Sequence, residues 1–354
     1  MKIIHTADLH FDSKLETNLD AIKAKDRKKE LLATFERMVE YAKDNAVTAI
    51  IIAGDMFDKA RISAKTKEFV LNCIALNPSI DFLYVSGNHD EDIFIESIET
   101  LPKNLYIFDE RWKTINYKEC DITGINYNES SEKYLYDTLF LNKEKINIVI
   151  MHGPLGSRGS GINVNNLRGK GISYLALGHI HKFQKGSIDN DGYFVYPGCL
   201  EGRGFDEIGP KGFVLIDIEN DELKSEFVPF AKRELHEVVV DITGIDSWID
   251  VRKNVNLKTN AIPEKDMVKV RITGNYDINI VKQIELLYEY LNEHYYFAKV
   301  VDESKIAINP KDYENDISLK GEFIRSVLQS DDLTTDEKNE IIEYGIKALM
   351  KEEI

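Results

Sequence analysis

The sequence predicts an α/β fold of the α+β kind, with a mixed sheet or two stacked sheets, followed by a smaller α+β module and a helical tail. Three observations predict it. Short apolar runs alternate with stretches of helical spacing over the first two-thirds of the chain. A compact strand and helix pattern resumes beyond a boundary near residues 231–234. After Pro310 only helical spacing remains.

Residues 2–6 read as a short apolar strand. Residues 22–45 have helical spacing, with Leu32, Phe35, Met38 and Tyr41 at i, i+3 steps. Residues 47–53 (VTAIIIA) form a nearly continuous apolar run, as a strand buried on both faces requires. A helix over 63–76 and a strand over 82–85 follow, and later strands are expected at 146–151, 174–177, 193–196 and 212–218. The module reads as a strand at 237–242, a helix at 247–255, a strand at 267–273, a helix at 278–293 and a strand at 296–301. The expected division is 1–232, 233–310 and 311–354. In the tail, Leu319, Phe323, Val327 and Leu328 share one helical face. Residues 334–337 (TTDE) have the form of a capping box. Ile341, Ile342, Ile346, Leu349 and Met350 then line a second helix. Such a tail either packs back on the body or docks against a partner helix.

Composition narrows the functional classes. A net charge of -16 speaks against tight, non-specific binding to nucleic acid by this chain alone. Bound divalent ions would change that locally, adding roughly four positive charges where a phosphate must sit. The acid is also uneven, with twelve acidic and six basic residues from Lys311 onward. Cys73, Cys120 and Cys199 are far apart and odd in number, which fits a reduced cytoplasm rather than a disulfide framework. No apolar run has the length of a signal sequence or of a membrane span, so a cytoplasmic location away from membranes is expected.

The chemistry lies in five polar clusters, each just past an expected buried strand. They are Asp8-Leu9-His10, then residues 54–58 (GDMFD), 87–90 (GNHD), 151–153 (MHG) and 178–181 (GHIH). In open α/β sheets this is the edge where ligand sites form. Asp and neutral imidazole suit borderline divalent ions such as manganese, iron and zinc, and no thiolate offers a softer site. Two ions about 3.5–4 Å apart need one bridging ligand, and a carboxylate can give one oxygen to each. Asp55 is the natural bridge. The amide oxygen of Asn88 would bind without adding negative charge. Singly, each cluster could be a turn, a helix cap or a surface histidine; all five in order make one metal site the better reading. His5, inside the first strand, reads as a packed core residue, and His236 and His294 as ordinary partly exposed ones.

The ordered set D-x-H, G-D-x-x-D, G-N-H-D, a later H and G-H-x-H resembles the calcineurin-like metallophosphoesterases over roughly residues 1–230. Residues 2–10 (KIIHTADLH) and 196–207 (YPGCLEGRGFDE) resemble the SbcD-type DNA break-repair exonucleases. The resemblance implies a four-layer αββα sandwich with a small α+β capping domain and a C-terminal helical docking segment. It implies Asp8, His10, Asp55 and His181 on one ion, and Asp55, Asn88, His152 and His179 on the other. His89 would stand near the leaving-group oxygen, oriented by Asp58, which departs from the His found there in some break-repair nucleases. The implied activity is phosphodiester hydrolysis by a water activated between two divalent ions. Manganese is expected, with iron, zinc, magnesium or nickel as alternatives. The implied partners are DNA, an SbcC-like coiled-coil ATPase bound through the tail, and a second copy of the chain.

Two loops are left open. Residues 153–171 carry Arg158, Arg168 and Lys170, which either contact a phosphate backbone or belong to an ordinary Gly-rich connection. Residues 196–207 carry Arg203 and either face the substrate or close the site as scaffold. The rival functions are a phosphodiesterase or phosphatase for a small nucleotide or phosphoprotein, and a non-catalytic scaffold.

Overall fold

The apolar runs at 2–6 and 47–53 become neighbouring strands at the heart of a six-stranded sheet. The computed structural model describes all residues except 16–18, 59–61, 89, 91–100, 127–134, 157–160, 278–279 and 351–354. In chain order the first sheet takes β1 (Lys2–Thr6), β2 (Val47–Ala53), β3 (Asp81–Val85) and β4 (Leu105–Ile107). The second takes β5 (Lys113–Asn116), β6 (Cys120–Gly124), β7 (Ile146–His152), β8 (Tyr174–Gly178), β9 (Gln184–Ser187) and β10 (Tyr193–Tyr196). The chain then returns to the first sheet with β11 (Gly212–Glu219) and β12 (Glu222–Pro229). Strand orders are β12-β11-β1-β2-β3-β4 and β5-β6-β7-β8-β10-β9. Both sheets are mixed: β1, β2, β3 and β4 run parallel, as do β6, β7, β8 and β10, with antiparallel partners at the flanks.

Alternation along each strand explains the stacking, because successive side chains point to opposite faces. Ile3, Ile51, Leu83 and Ile216 of the first sheet share a core with Ile122, Ile148, Ile150, Ala176 and Val195 of the second. Their neighbours Ile4, Ile50, Ile52 and Phe82 pack on the opposite side with Phe35, Met38, Val70 and Ile74. These come from helices α1 (Ala21–Asp44) and α2 (Ala64–Ala75), which start on the side-chain caps of Asp20 and Ser63. The outer face of the second sheet buries Val149, Met151, Leu175 and Leu177 against Leu135, Leu139, Ile162 and Leu167.

Contacts divide the chain into two compact units, Met1–Glu234 and Leu235–Ile354. The second is built on a parallel sheet of β13 (Leu235–Asp241), β14 (Met267–Thr273) and β16 (Phe297–Asp302). Helices α3 (Trp248–Thr259) and α4 (Ile284–His294) make the crossovers. β15 (Asn275–Asp277) pairs with β17 (Lys305–Ala307). Helices α5 (Pro310–Tyr313), α6 (Leu319–Leu328) and α7 (Thr335–Met350) complete this unit. Tyr313, Ile324, Ile342 and Ile346 from these helices share one core with Val240, Val270 and Leu287. The capping box forms: the Thr334 N–H donates to Glu337 at 2.8 Å, and the Glu337 N–H donates to the Thr334 hydroxyl at 3.3 Å.

The helix expected at 278–293 begins only at Ile284, because Asn275–Asp277 is drawn into pairing with β17 and the Ile280 N–H turns back to Asp277. No helix among the described residues is long and apolar enough to cross a membrane.

Candidate metal centre

The centre begins with two loops that run side by side. After β1 and β2 the chain keeps a parallel pairing through backbone bonds from Asp8 to Gly54 at 3.1 Å, His10 to Asp55 at 3.0 Å and Phe11 to Met56 at 3.0 Å. The Asp58 N–H returns a bond to Phe11 at 3.1 Å. This stitching places Asp8, His10 and Asp55, all buried, beside one another. Asn88 comes from beyond β3, His152 is the last residue of β7, and His179 and His181 follow β8. The C-terminal ends of strands from both sheets therefore deliver the side chains.

Local backbone is held in a conformation that L residues rarely adopt. Asp8, His10, Asp55 and His179 have φ of 54°, 45°, 52° and 106°. Such residues cost about 1–3 kcal/mol each and cluster at functional sites. Two glycines allow the close approach. Gly54 has φ 87°, and a Cβ on it would enter the His152 imidazole. A Cβ on Gly178 would strike the Ala53 carbonyl oxygen across the two sheets.

Two groups of donors result: Asp8, His10 and His181, and Asp55, His152 and His179, with ligand atoms in each group within 4.8 Å of one another. His10 and His181 turn their Nε2 atoms toward each other at 3.2 Å. The Asn88 amide oxygen joins the second group, 3.1 Å from both His152 Nε2 and His179 Nδ1. Asp55 Oδ2 reaches both groups, 3.3 Å from His152 Nε2 and 3.7 Å from His10 Nε2.

The tautomers follow from fixed partners. The Ala53 carbonyl can only accept, so His152 Nδ1–H donates to it at 2.8 Å and Nε2 faces the centre. The His179 N–H donates to Asp8 at 2.9 Å. Burial raises the Asp8 carboxyl to about 6, against the pull of His152 and His181. Burial also works against the His152 imidazolium, but the Asp55 carboxylate outweighs it and lifts the ring to about 9. A carboxylate and imidazole set that can be neutralised internally only by shared protons is chemically suited to cations. The oxygen and nitrogen donors fit two borderline divalent ions.

The remaining sequence candidates are placed as follows. Asp58 is half-buried beside the stitched loops, while His89 and Arg158 lie outside the described residues. Arg168 is exposed and donates to the Ile188 carbonyl at 3.0 Å; Lys170 is half-buried nearby. Arg203 is clamped on Glu207, at 2.6 and 3.1 Å, rather than extended from its loop. His5 is buried with Nδ1 2.8 Å from the Tyr174 hydroxyl, and burial pushes it down to about 3.

Three further residues belong to the centre and are not marked by sequence spacing. Glu207 accepts from His181 Nδ1 at 2.7 Å. Buried Lys211 donates to the His181 carbonyl at 2.8 Å. Asp90 accepts from the N–H groups of Met56, Phe57 and Gly87 at 3.2, 2.9 and 2.9 Å, fastening the Asp55 and Asn88 loops together. Asp90 ends the GNHD cluster and Glu207 ends the 196–207 stretch, so both are visible in the sequence, but nothing in their spacing reveals their partners.

Comparison with known proteins agrees with this chemistry. Residues 1–183 match the family described as calcineurin-like phosphoesterase. An uncharacterized metallophosphoesterase, YhaO of Bacillus subtilis, is 28% identical over 267 aligned residues, covering 70% of this chain; the match spans 63% of that relative's length. The DNA double-strand break repair protein Mre11 of Sulfolobus acidocaldarius is 24% identical, over 99% of this chain and 91% of its own. The SbcD component of nuclease SbcCD from Staphylococcus saprophyticus is 23% identical, over 68% and 71%.

Proposed function

The chain belongs to the calcineurin-like phosphoesterase family, and from that premise we propose that it is a metal-dependent DNA nuclease. The observation that carries the DNA reading is the reach of one likeness. The Mre11 relative matches 99% of the chain, so the second unit is included along with the metal centre.

In this reading the centre would hold two divalent ions, manganese foremost, and when bound they would supply the chemistry of water activation and of charge stabilisation at the phosphoryl oxygens. Asp8, His10, Asp55 and His181 would hold one, and Asp55, Asn88, His152 and His179 would hold the other. His89 gives a proton to the leaving 3′ oxygen, with Asp58 fixing its ring. Arg158, Arg168 and Lys170 face the phosphate backbone. Arg203, held on Glu207, acts on the centre rather than on DNA. The four-layer sandwich, a capping role for residues 233–310, a two-fold homodimer and docking of residues 311–354 to an SbcC-like ATPase belong to the same proposal. The relative named as a subunit of nuclease SbcCD supports an SbcC-like partner. A small phosphodiester is the second reading, favoured by the net charge of -16.

Purified protein with Mn²⁺ should shorten linear double-stranded DNA and hydrolyse bis(p-nitrophenyl) phosphate, and a chelator should stop both. Hydrolysis of the small ester with DNA left intact would favour the second reading over the first.

A further inference from the structure

We infer that Glu207 is the positioning residue for His181, and that it serves one of the two metal sites and not the other. The inference rests on the two-ion reading of the centre.

His181 Nδ1 has two neighbours, the Glu207 carboxylate at 2.7 Å and Arg203 Nη2 at 3.1 Å. Arg203 Nη2 makes its shorter bond, 2.6 Å, to Glu207, and a carboxylate can only accept, so the proton sits on Nδ1 and Nε2 turns toward His10. Glu207 has little freedom to do otherwise. It is 4% exposed. Its Oε1 also takes Arg203 Nε and Nη2, and its Oε2 takes the Arg203 backbone N–H at 2.7 Å and the Cys199 thiol at 3.6 Å. The guanidinium compensates a buried negative charge that would otherwise be costly. The backbone of His181 is held from its other end, since Lys211 donates to its carbonyl. Ring and main chain are therefore both fixed.

The second group is built differently. His152 leans on a neutral carbonyl, that of Ala53. A carboxylate behind an imidazole raises its basicity as a ligand, and losing such a partner costs 10–100-fold in metal affinity in typical cases. The two sites should therefore respond unequally to one substitution.

The test is a Mn²⁺ titration of metal-stripped, full-length protein by equilibrium dialysis, read together with hydrolysis of bis(p-nitrophenyl) phosphate. Wild type should bind two ions. Glu207→Gln preserves size and removes the charge. It should weaken one ion by about 10–100-fold, leave the other unchanged, and recover hydrolysis at raised Mn²⁺. Arg203→Met, which leaves Glu207 in place but removes the guanidinium from both Glu207 and His181 Nδ1, should give the same one-ion loss and serves if Glu207→Gln does not fold. Two ions bound at wild-type affinity in these variants would overturn the inference. So would equal weakening of both ions, or hydrolysis that stays low at saturating Mn²⁺, since those mark a merely structural residue. Fewer than two ions on wild type would overturn the two-ion reading itself.

Discussion

Asp55 is the residue on which the two donor groups meet. One of its oxygens lies within 4 Å of a ring nitrogen from each group, and the residue is 1% exposed. A neutral amide in its place keeps the shape and removes the charge that both ions would share. Asp55→Asn should therefore abolish phosphodiester hydrolysis and lower the metal content of purified protein below two ions per chain. Elemental analysis showing two ions still bound would contradict the bridging role. Glu30 shows the same logic away from the centre. Burial alone would raise its carboxyl, but Arg233, Lys232 and Arg27 outweigh it and hold the group at about 2 against an ordinary 4.5. A depressed folded-state pKa gives stability that is present above the unfolded value and lost as pH falls toward the folded one. Glu30→Gln should lower the urea midpoint at pH 7, and the gap from wild type should close between about pH 4.5 and 2. A gap independent of pH would show that packing, not charge, is what Glu30 contributes.

At the scale of elements, the centre depends on how closely β2 and β8 approach from different sheets. Gly178 makes that approach where Ala53 ends β2, and the Ala53 carbonyl in turn anchors His152. Gly178→Ala would press a methyl group into that oxygen. The expected cost is about 1–3 kcal/mol, the usual range for overpacking, with loss of metal content as His152 is displaced. Urea unfolding and metal analysis of the variant check both, and a variant unchanged in both would show that the sheets can part there freely. The strands that carry the donors are legible in the sequence because they are buried on both faces and read as apolar runs. β4, β5, β6, β9 and β12 are not. β5 and β9 are mostly exposed and polar, so no apolar run marks them. β6 is buried but contains Asp121, whose charge is met by Lys145 at 2.8 Å, a partner that sequence spacing does not show. β12 follows a two-residue turn at Asn220 and Asp221, both at positive φ. That Asn-Asp pair is the one hairpin signal for β12, and it is easily passed over between two charged residues. The donor residues themselves are legible for a different reason: their chemistry is confined to strand ends. Glu207 is not, because its partner His181 is 26 positions away and only folding brings them together.

At the scale of the molecule, α6 and α7 share the core of the second unit. Ile324 and Ile342 are fully buried and Ile346 is 4% exposed. Each such side chain is worth about 1.5–3 kcal/mol. Truncation before Ser318 should therefore melt the second unit at lower temperature while leaving the metal content of the first intact, as calorimetry with metal analysis can show. An unshifted transition would mean that these helices add nothing to the stability of the unit. Activity, ligand roles and the positioning of His181 all depend on two ions held at one place. Diffraction from crystals grown with Mn²⁺, measured at the manganese absorption edge, tests this most directly. Two anomalous peaks about 3.5–4 Å apart are expected, one among Asp8, His10 and His181 and the other among Asn88, His152 and His179, with Asp55 between them. A single peak, or peaks away from these side chains, would contradict it.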